Sequence, residues 1–192
     1  MQRTLYLTQP GNREDVIVGL PLLVVVTGMP SSGKTTVAEG LARRLGVPLI
    51  AKDEIKESLY DSLGAEDIDS SAMLGGAAYG LIFALAGPML ESGVSLIVEA
   101  NFFRDQEPRF AALPEHRLVQ IHCRAPLAVL VERYANRSRH AGHHDAEKIA
   151  ELPARFESGR HEALRLPGDL IELDTTQRVD LDALAERVSS IV

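Results

Sequence analysis

The chain has 192 residues, 45% of them hydrophobic and 24% charged, which is enough for one globular α/β domain with its own core. A net charge of −7, a pI of about 5.4 and no basic run beyond Arg43-Arg44 leave no electrostatic footprint for extended nucleic-acid binding, so small substrates, cationic ones included, fit better. The single cysteine, Cys123, excludes an internal disulfide and points to a reducing, cytoplasmic setting.

Residues 1–21 read as an N-terminal extension, with an apolar patch at Leu5-Tyr6-Leu7 and a break at Pro10-Gly11-Asn12, and they lack the basic segment and cleavage site of a signal peptide. Residues 22–192 then read as a single undivided domain. Leu22-Leu23-Val24-Val25-Val26 predicts a strand, and directly behind it Gly28-Met29-Pro30-Ser31-Ser32-Gly33-Lys34-Thr35 completes a G-x-x-x-x-G-K-[ST] phosphate loop. Apolar spacing at Val37, Leu41 and Leu45 predicts the helix that must follow. Gly28 and Gly33 allow the tight turn that aims backbone N–H groups at one point, and a helix N-terminus adds about half a positive charge there. The candidate cradle is Gly28, Pro30, Ser31, Ser32, Gly33, Lys34, Thr35 and Thr36. Lys34 is placed to reach β- and γ-phosphate oxygens, and the Thr35 hydroxyl to hold Mg²⁺.

Val47 to Ala51 predicts the second strand, followed by a helix with Ile55, Leu59 and Leu63 on its apolar face. Asp53, at the join and 19 residues beyond Lys34, is either a base that takes the proton of an attacking hydroxyl or the cap of that helix. Its neighbours Lys52 and Glu54 read as solvated. Residues 72–90 carry no charge, yet four glycines and Pro88 interrupt them and basic flanks are missing. They predict a helix, broken or whole, between the sheet and a substrate cleft, not a membrane span. Val94 to Val98 predicts the third strand. Glu99 behind it stands where a Walker B acid sits, to hold the Mg²⁺ shell, orient substrate or face solvent. Asn101 and Arg104 follow as candidate substrate contacts.

Leu118 to Cys123 predicts the fourth strand, then a helix from Pro126 with Leu127, Leu130, Val131 and Tyr134 inward. Arg133 and Arg137, four apart, would share one helical face and neutralise charge on a transferring phosphoryl group. The polar stretch through His140, His143, His144 and Asp145 reads as part of a lid over about residues 133–150 that touches substrate. Its spacing is not that of a structural zinc module. Leu170 to Leu173 predicts the fifth strand, ending at Asp174-Thr175-Thr176, and a last helix starts near Asp180. Strands alternating with helices imply right-handed crossovers, a parallel sheet covered on both faces, and ligands at the carboxyl ends of the strands.

Gly28 to Thr36, Asp53, the Val98-Glu99-Ala100-Asn101-Phe102-Phe103-Arg104 run, the Glu132-Arg133-Tyr134 helix with Arg137, and Leu173 to Thr176 together resemble small P-loop kinases of the AAA_33-like, zeta-toxin and chloramphenicol-phosphotransferase group. The resemblance covers the chain from about Leu22 onward. It implies a three-layer αβα P-loop fold with a five-stranded parallel sheet of order 2-3-1-4-5, ATP and Mg²⁺ as co-substrates, and transfer of the γ-phosphate to a small-molecule hydroxyl with Asp53 as base. It also implies that Thr175 and Thr176 lie near the adenine. Glu99 departs from the Asp that many relatives carry. Relatives phosphorylate antibiotics, sugars, nucleotide-sugars or polynucleotide ends, so the acceptor surface is expected in residues 54–92 and 101–112. A polynucleotide 5′-hydroxyl kinase, which the charge of −7 opposes, and a non-catalytic ATP-binding module are the alternatives; no feature specifies an oligomeric state.

Overall fold

Three core strands are apolar on both sides, so they must be covered on both faces, and the rest of the chain is arranged to do that. The computed structural model describes residues 19–64, 68–137, 140 and 149–191; Leu5 to Leu7, His143, His144 and Asp145 lie outside them. In chain order it has β1 (Leu22–Gly28), α1 (Lys34–Leu45), β2 (Leu49–Ala51), α2 (Lys52–Leu63), α3 (Ile68–Glu91) and β3 (Leu96–Glu99). A 3-10 turn (Arg104–Gln106), α4 (Glu107–Ala111), β4 (Arg117–Arg124), α5 (Leu127–Asn136), a second 3-10 turn (Ile149–Glu151), α6 (Leu152–Glu157), β5 (Asp169–Asp174) and α7 (Leu181–Ser190) complete it. The strands form one parallel sheet of order β2-β3-β1-β4-β5, the order the resemblance implied.

Alternation along the strands divides the core into two layers. Val24, Val26, Ile97, Ile121 and Ile171 face α1 and α7, where they meet Leu41 and Val188. Leu23, Val25, Leu96 and Val98 face the other way, onto Ile82 and Phe83 of α3 and the edge-to-face pair Phe102 and Phe110. Each fully buried side chain of this size contributes about 1.5–3 kcal/mol. α1 ends at Gly46, which takes the left-handed conformation at φ 66° and closes the helix with a bond from its N–H to the Ala42 carbonyl. Asp180 caps α7 by accepting from the N–H groups of Asp182 and Ala183, both at 3.0 Å.

Two expectations are corrected, and one alternative is decided. The third strand begins at Leu96, two residues late, because Val94 closes α3 by donating its N–H to the Met89 carbonyl. The 72–90 segment is not broken: α3 runs unbroken to Glu91, with Pro88 close enough to its end to sacrifice little of the helix ladder. It covers the sheet with Ala78, Ile82, Phe83 and Ala86, while Met73, Leu81 and Leu85 remain exposed; by length and composition Asp69–Glu91 is apolar enough to cross a membrane. On α2, Leu63 is exposed, and the buried position facing α3 is Lys56, whose Nζ donates to Ser71 Oγ at 2.7 Å.

Candidate active site

The loop after β1 is held by backbone constraints that only its own residues satisfy. Gly28 has φ 146°, and a Cβ there would stand 2.4 Å from the Cys123 carbonyl oxygen and 2.7 Å from Ser32 Oγ. Ser31 and Gly33 adopt positive φ of 63° and 80°, and the Ser32 N–H donates to the Met29 carbonyl at 3.1 Å. Gly33 starts α1 with no side-chain cap, so the first-turn N–H groups stay available to an anion. Ser32 Oγ is buried with no hydrogen-bond partner among the described residues, and Lys34 is 7% exposed, a buried cation whose Nζ lies 3.8 Å from Glu99 Oε1. An uncapped helix start, an orphaned hydroxyl and a buried ammonium converging on a concave loop fit a polyphosphate.

The loop opens into a cavity of about 660 Å³. Lys34, Thr35, Asp53, Glu99, Arg133 and Arg137 all line it. Parallel register explains the convergence: Val26 pairs with Glu99, and Ala51 pairs with Glu99 from the other side, so the acid and the start of α2 emerge level with the loop. Asp53 does not cap α2. The cap position is Ala51, and Asp53 stands in the first helical turn with its carboxylate 3.5 Å from Lys52 Nζ.

The two arginines act from separate places rather than from one helical face. Arg133 lies in α5 and donates to the Thr175 carbonyl at 2.6 Å and to Thr175 Oγ1 at 3.2 Å. α5 stops at Asn136, so Arg137 is extended, at φ −81° and ψ 140°; its guanidinium lies 3.8 Å from the Tyr134 ring centroid and donates to Ser31 Oγ at 3.1 Å. Thr175 Oγ1 donates to the Ser32 carbonyl at 2.8 Å, which ties the end of β5 to the phosphate loop. Between Arg133, Thr175, Val179 and α1 a second cavity of about 430 Å³ adjoins the first.

A family model described as an AAA domain (AAA_33) matches residues 23–158. The chain belongs to that family. Among solved structures, one from Chloroflexus aurantiacus described as a "putative kinase" is 34% identical, covers 91% of this chain and 100% of its own, and superposes with a TM-score of 0.83. A sugar kinase from Janibacter (22% identity, 90% and 94% covered, TM-score 0.57) and a shikimate kinase from Bacteroides thetaiotaomicron (16% identity, 89% and 97% covered, TM-score 0.54) share the fold. Protein Rv2004c of Mycobacterium tuberculosis is 28% identical over 144 residues, 69% of this chain; the chain spans 29% of the length of that relative. The architecture is thus that of small P-loop kinases.

Several predicted residues have partners that the sequence does not show. Arg104 is exposed and held by Glu162 at 2.8 Å, outside the phosphate-loop cavity, because the 3-10 turn that begins at Arg104 directs it to the surface. Asn101 stands at the strand end, where its Oδ1 lies 2.9 Å from the Tyr79 hydroxyl. His140 lines the phosphate-loop cavity and pairs with Asp61 of α2 at 2.9 Å, and among the described residues no three acids, histidines or thiols form a metal cluster. Cys123 is buried, and burial pushes its thiol up to about 12, which fits a structural role.

Other residues escaped the sequence. Lys52 is not solvated: its side chain is 13% exposed and lies 5.3 Å from the centroid of the Tyr79 ring. Burial, then the charges of Asp53, Glu99 and Asp105, raise the pKa of Tyr79, so it stays a neutral hydroxyl beside the site. Tyr79 lies in the charge-free run that the sequence marked only as helix. A third cavity, of about 570 Å³, lies on the other side of Met29 and is lined by His122 and His161. Burial lowers both imidazoles, His161 to about 4 with Arg155 adding to the shift, and neither takes part in the phosphate-loop cavity.

Proposed function

We propose that the chain is a phosphotransferase that moves the γ-phosphoryl group of ATP to a hydroxyl of a small molecule. The observation that carries this is the Asp53 carboxylate in one cavity with Lys34 and the phosphate loop, half-buried and uninvolved in capping. A nucleotide cradle alone would serve a hydrolase as well. A carboxylate across from the phosphoryl end gives an attacking hydroxyl its orientation and somewhere to leave its proton. The acceptor oxygen bonds to the γ-phosphorus as the bond to the β,γ-bridging oxygen breaks. The electron pair leaves on the β-phosphate of ADP, and the hydroxyl proton passes to Asp53.

Lys34, Arg137 and the α1 N-terminus supply positive charge where it accumulates on the transferring oxygens, and Arg133 with Thr175 frames the space for the base. Thr35 and Glu99 would hold Mg²⁺, which when bound neutralises charge on the β- and γ-phosphates. Residues 133–150 serve as the lid in this reading, and the buried thiol suits a cytoplasmic location. The family match and the kinase neighbour at 34% identity support it.

Asp53→Asn tests it. A fluorescent ATP analogue should bind as to wild type, while transfer of labelled γ-phosphate to acceptors falls about 10²- to 10⁴-fold. Undiminished transfer would remove Asp53 as base. ATP bound by the wild type with no phosphorylated product across a broad hydroxyl panel would favour a non-catalytic ATP-binding module.

A further inference from the structure

Beside Asp53, on the α3 side, two cations each lie against an aromatic ring. Lys52 Nζ is 5.3 Å from the centroid of Tyr79 and the Arg160 guanidinium is 4.3 Å from that of Phe103, while the two rings stand 6.2 Å apart. The pairs therefore form one wall. It adjoins the site: Lys52 reaches Asp53 at 3.5 Å, and Arg160, like Asp53, is close enough to the Tyr79 hydroxyl to shift its ionisation. His161, next in the chain, lies tilted against Phe103 with ring centroids 4.8 Å apart and feels the charge of both Lys34 and Arg160.

Of the acids in the neighbourhood, Glu99 faces Lys34, Asp53 faces Lys52, and Glu162 is held by Arg104; Asp105 is exposed at the turn, and Glu54 and Glu57 line the phosphate-loop cavity with Asp53. Arg160 makes no ion pair among the described residues. A guanidinium laid on a ring is already ordered, so little further entropy is lost when it binds an anion, and its fork matches a carboxylate or a phosphate.

We infer that Lys52 and Arg160 form an anion subsite of the acceptor pocket, so that the acceptor is a hydroxyl compound bearing a carboxylate or phosphate group. The inference rests on the phosphotransferase reading above. It runs against the overall charge of −7, from which cationic substrates would be expected. Tyr79 and Phe103, tilted at 56° to each other, offer the carbon skeleton an apolar corner while Asp53 takes the hydroxyl. Lys52 balances the Asp53 carboxylate in the absence of acceptor and shares the acceptor's anion when it is bound.

The test is a panel of neutral sugars and polyols, amino sugars, hydroxycarboxylates and sugar phosphates, with labelled γ-phosphate transfer as readout. The anionic members should be preferred at least about tenfold in kcat/KM, and the two anionic sets distinguish carboxylate from phosphate. Arg160→Met should raise KM for the preferred acceptor about 10- to 100-fold, with binding of a fluorescent ATP analogue unchanged and Arg160→Lys partly restoring it. Arg160 is exposed, so circular dichroism should report an unchanged fold. Equal turnover of neutral or amino acceptors, or an Arg160→Met defect in ATP binding instead of acceptor KM, overturns the subsite and leaves the phosphotransferase standing. No transfer to any acceptor while ATP binds removes both.

Discussion

Gly28→Ala asks whether the phosphate loop is shaped by its contact with the neighbouring strand. The added Cβ would meet the Cys123 carbonyl oxygen at 2.4 Å and Ser32 Oγ at 2.7 Å, at a backbone φ of 146°. The serine hydroxyl can rotate away. The carbonyl cannot, because it belongs to β4, which is paired in parallel register with β1 at this very residue, Gly28 against Cys123. Backbone strain costs about 1–3 kcal/mol and the overlap about as much again, together about 2–6 kcal/mol of a typical total of 5–15. In a domain of this size each 1 kcal/mol moves Tm by about 2–4 °C, so the variant should melt about 5–20 °C below wild type with an unchanged urea m-value. Gly46→Ala is the control: φ is 66° but nothing lies within 4 Å of an added Cβ, so only about 1–2 kcal/mol is expected. A fluorescent ATP analogue should bind Gly28→Ala more than about tenfold more weakly and Gly46→Ala normally. A Gly28→Ala protein as stable as the control, or one that binds nucleotide like wild type, would refute the claim that β4 shapes the loop.

Thr175→Val removes a hydroxyl that donates to the Ser32 carbonyl at 2.8 Å and receives from Arg133, so stability should fall by about 1–3 kcal/mol in urea titration and KM for ATP should rise. Asp180→Ala uncaps α7 and should cost about 1 kcal/mol by the same titration. His161 has a folded pKa of about 4 against an ordinary 6.5, caused first by burial; the folded state disfavours its proton. Its contribution is therefore complete above pH 6.5 and is lost as pH falls from 6.5 toward 4. Urea midpoints should drop across that window, and His161→Phe should flatten the drop by as much as about 3 kcal/mol.

What the sequence disclosed and what it hid follow from how local each signal is. β1, the loop and α1 were legible because strand pattern, glycines and helix period all fall within one continuous stretch, from Leu22 to Leu45. The sheet order followed from resemblance, and its register then placed Glu99 and Asp53 beside the loop. Arg137 was misjudged because helical spacing cannot show that α5 stops at Asn136. The ion pair of Arg104 was hidden because its partner, Glu162, lies 58 residues away. Lys52, Lys56 and Tyr79 were missed for one reason: lysines beside an acid read as surface, and a tyrosine in an apolar run reads as core. Only the packing of α2 on α3, which brings Lys56 to Ser71 and Lys52 to Tyr79, shows otherwise.

Donor and acceptor halves are built from different parts of the fold, and this bears on which substitutions can change specificity. The donor half hangs on β1, β4 and β5: Gly28 is locked against Cys123, and Thr175 donates its N–H to the Arg124 carbonyl and its hydroxyl to the Ser32 carbonyl. A change there moves paired backbone and costs stability. The acceptor wall hangs on segments outside the sheet, with Lys52 and Tyr79 on two helices, Phe103 on the turn after β3 and Arg160 between α6 and β5. Those side chains meet one another through ring faces and single charges, and Arg160 is exposed. A surface substitution such as one at Arg160 usually stays within about 0.5 kcal/mol of wild type, whereas Lys52, 13% exposed and 3.5 Å from Asp53, is tied to that carboxylate. Exchanging Arg160 for a neutral or acidic residue should therefore redirect acceptor choice while the melting temperature and ATP affinity hold, and a variant that loses ATP binding along with acceptor binding would show that the two halves are not separable.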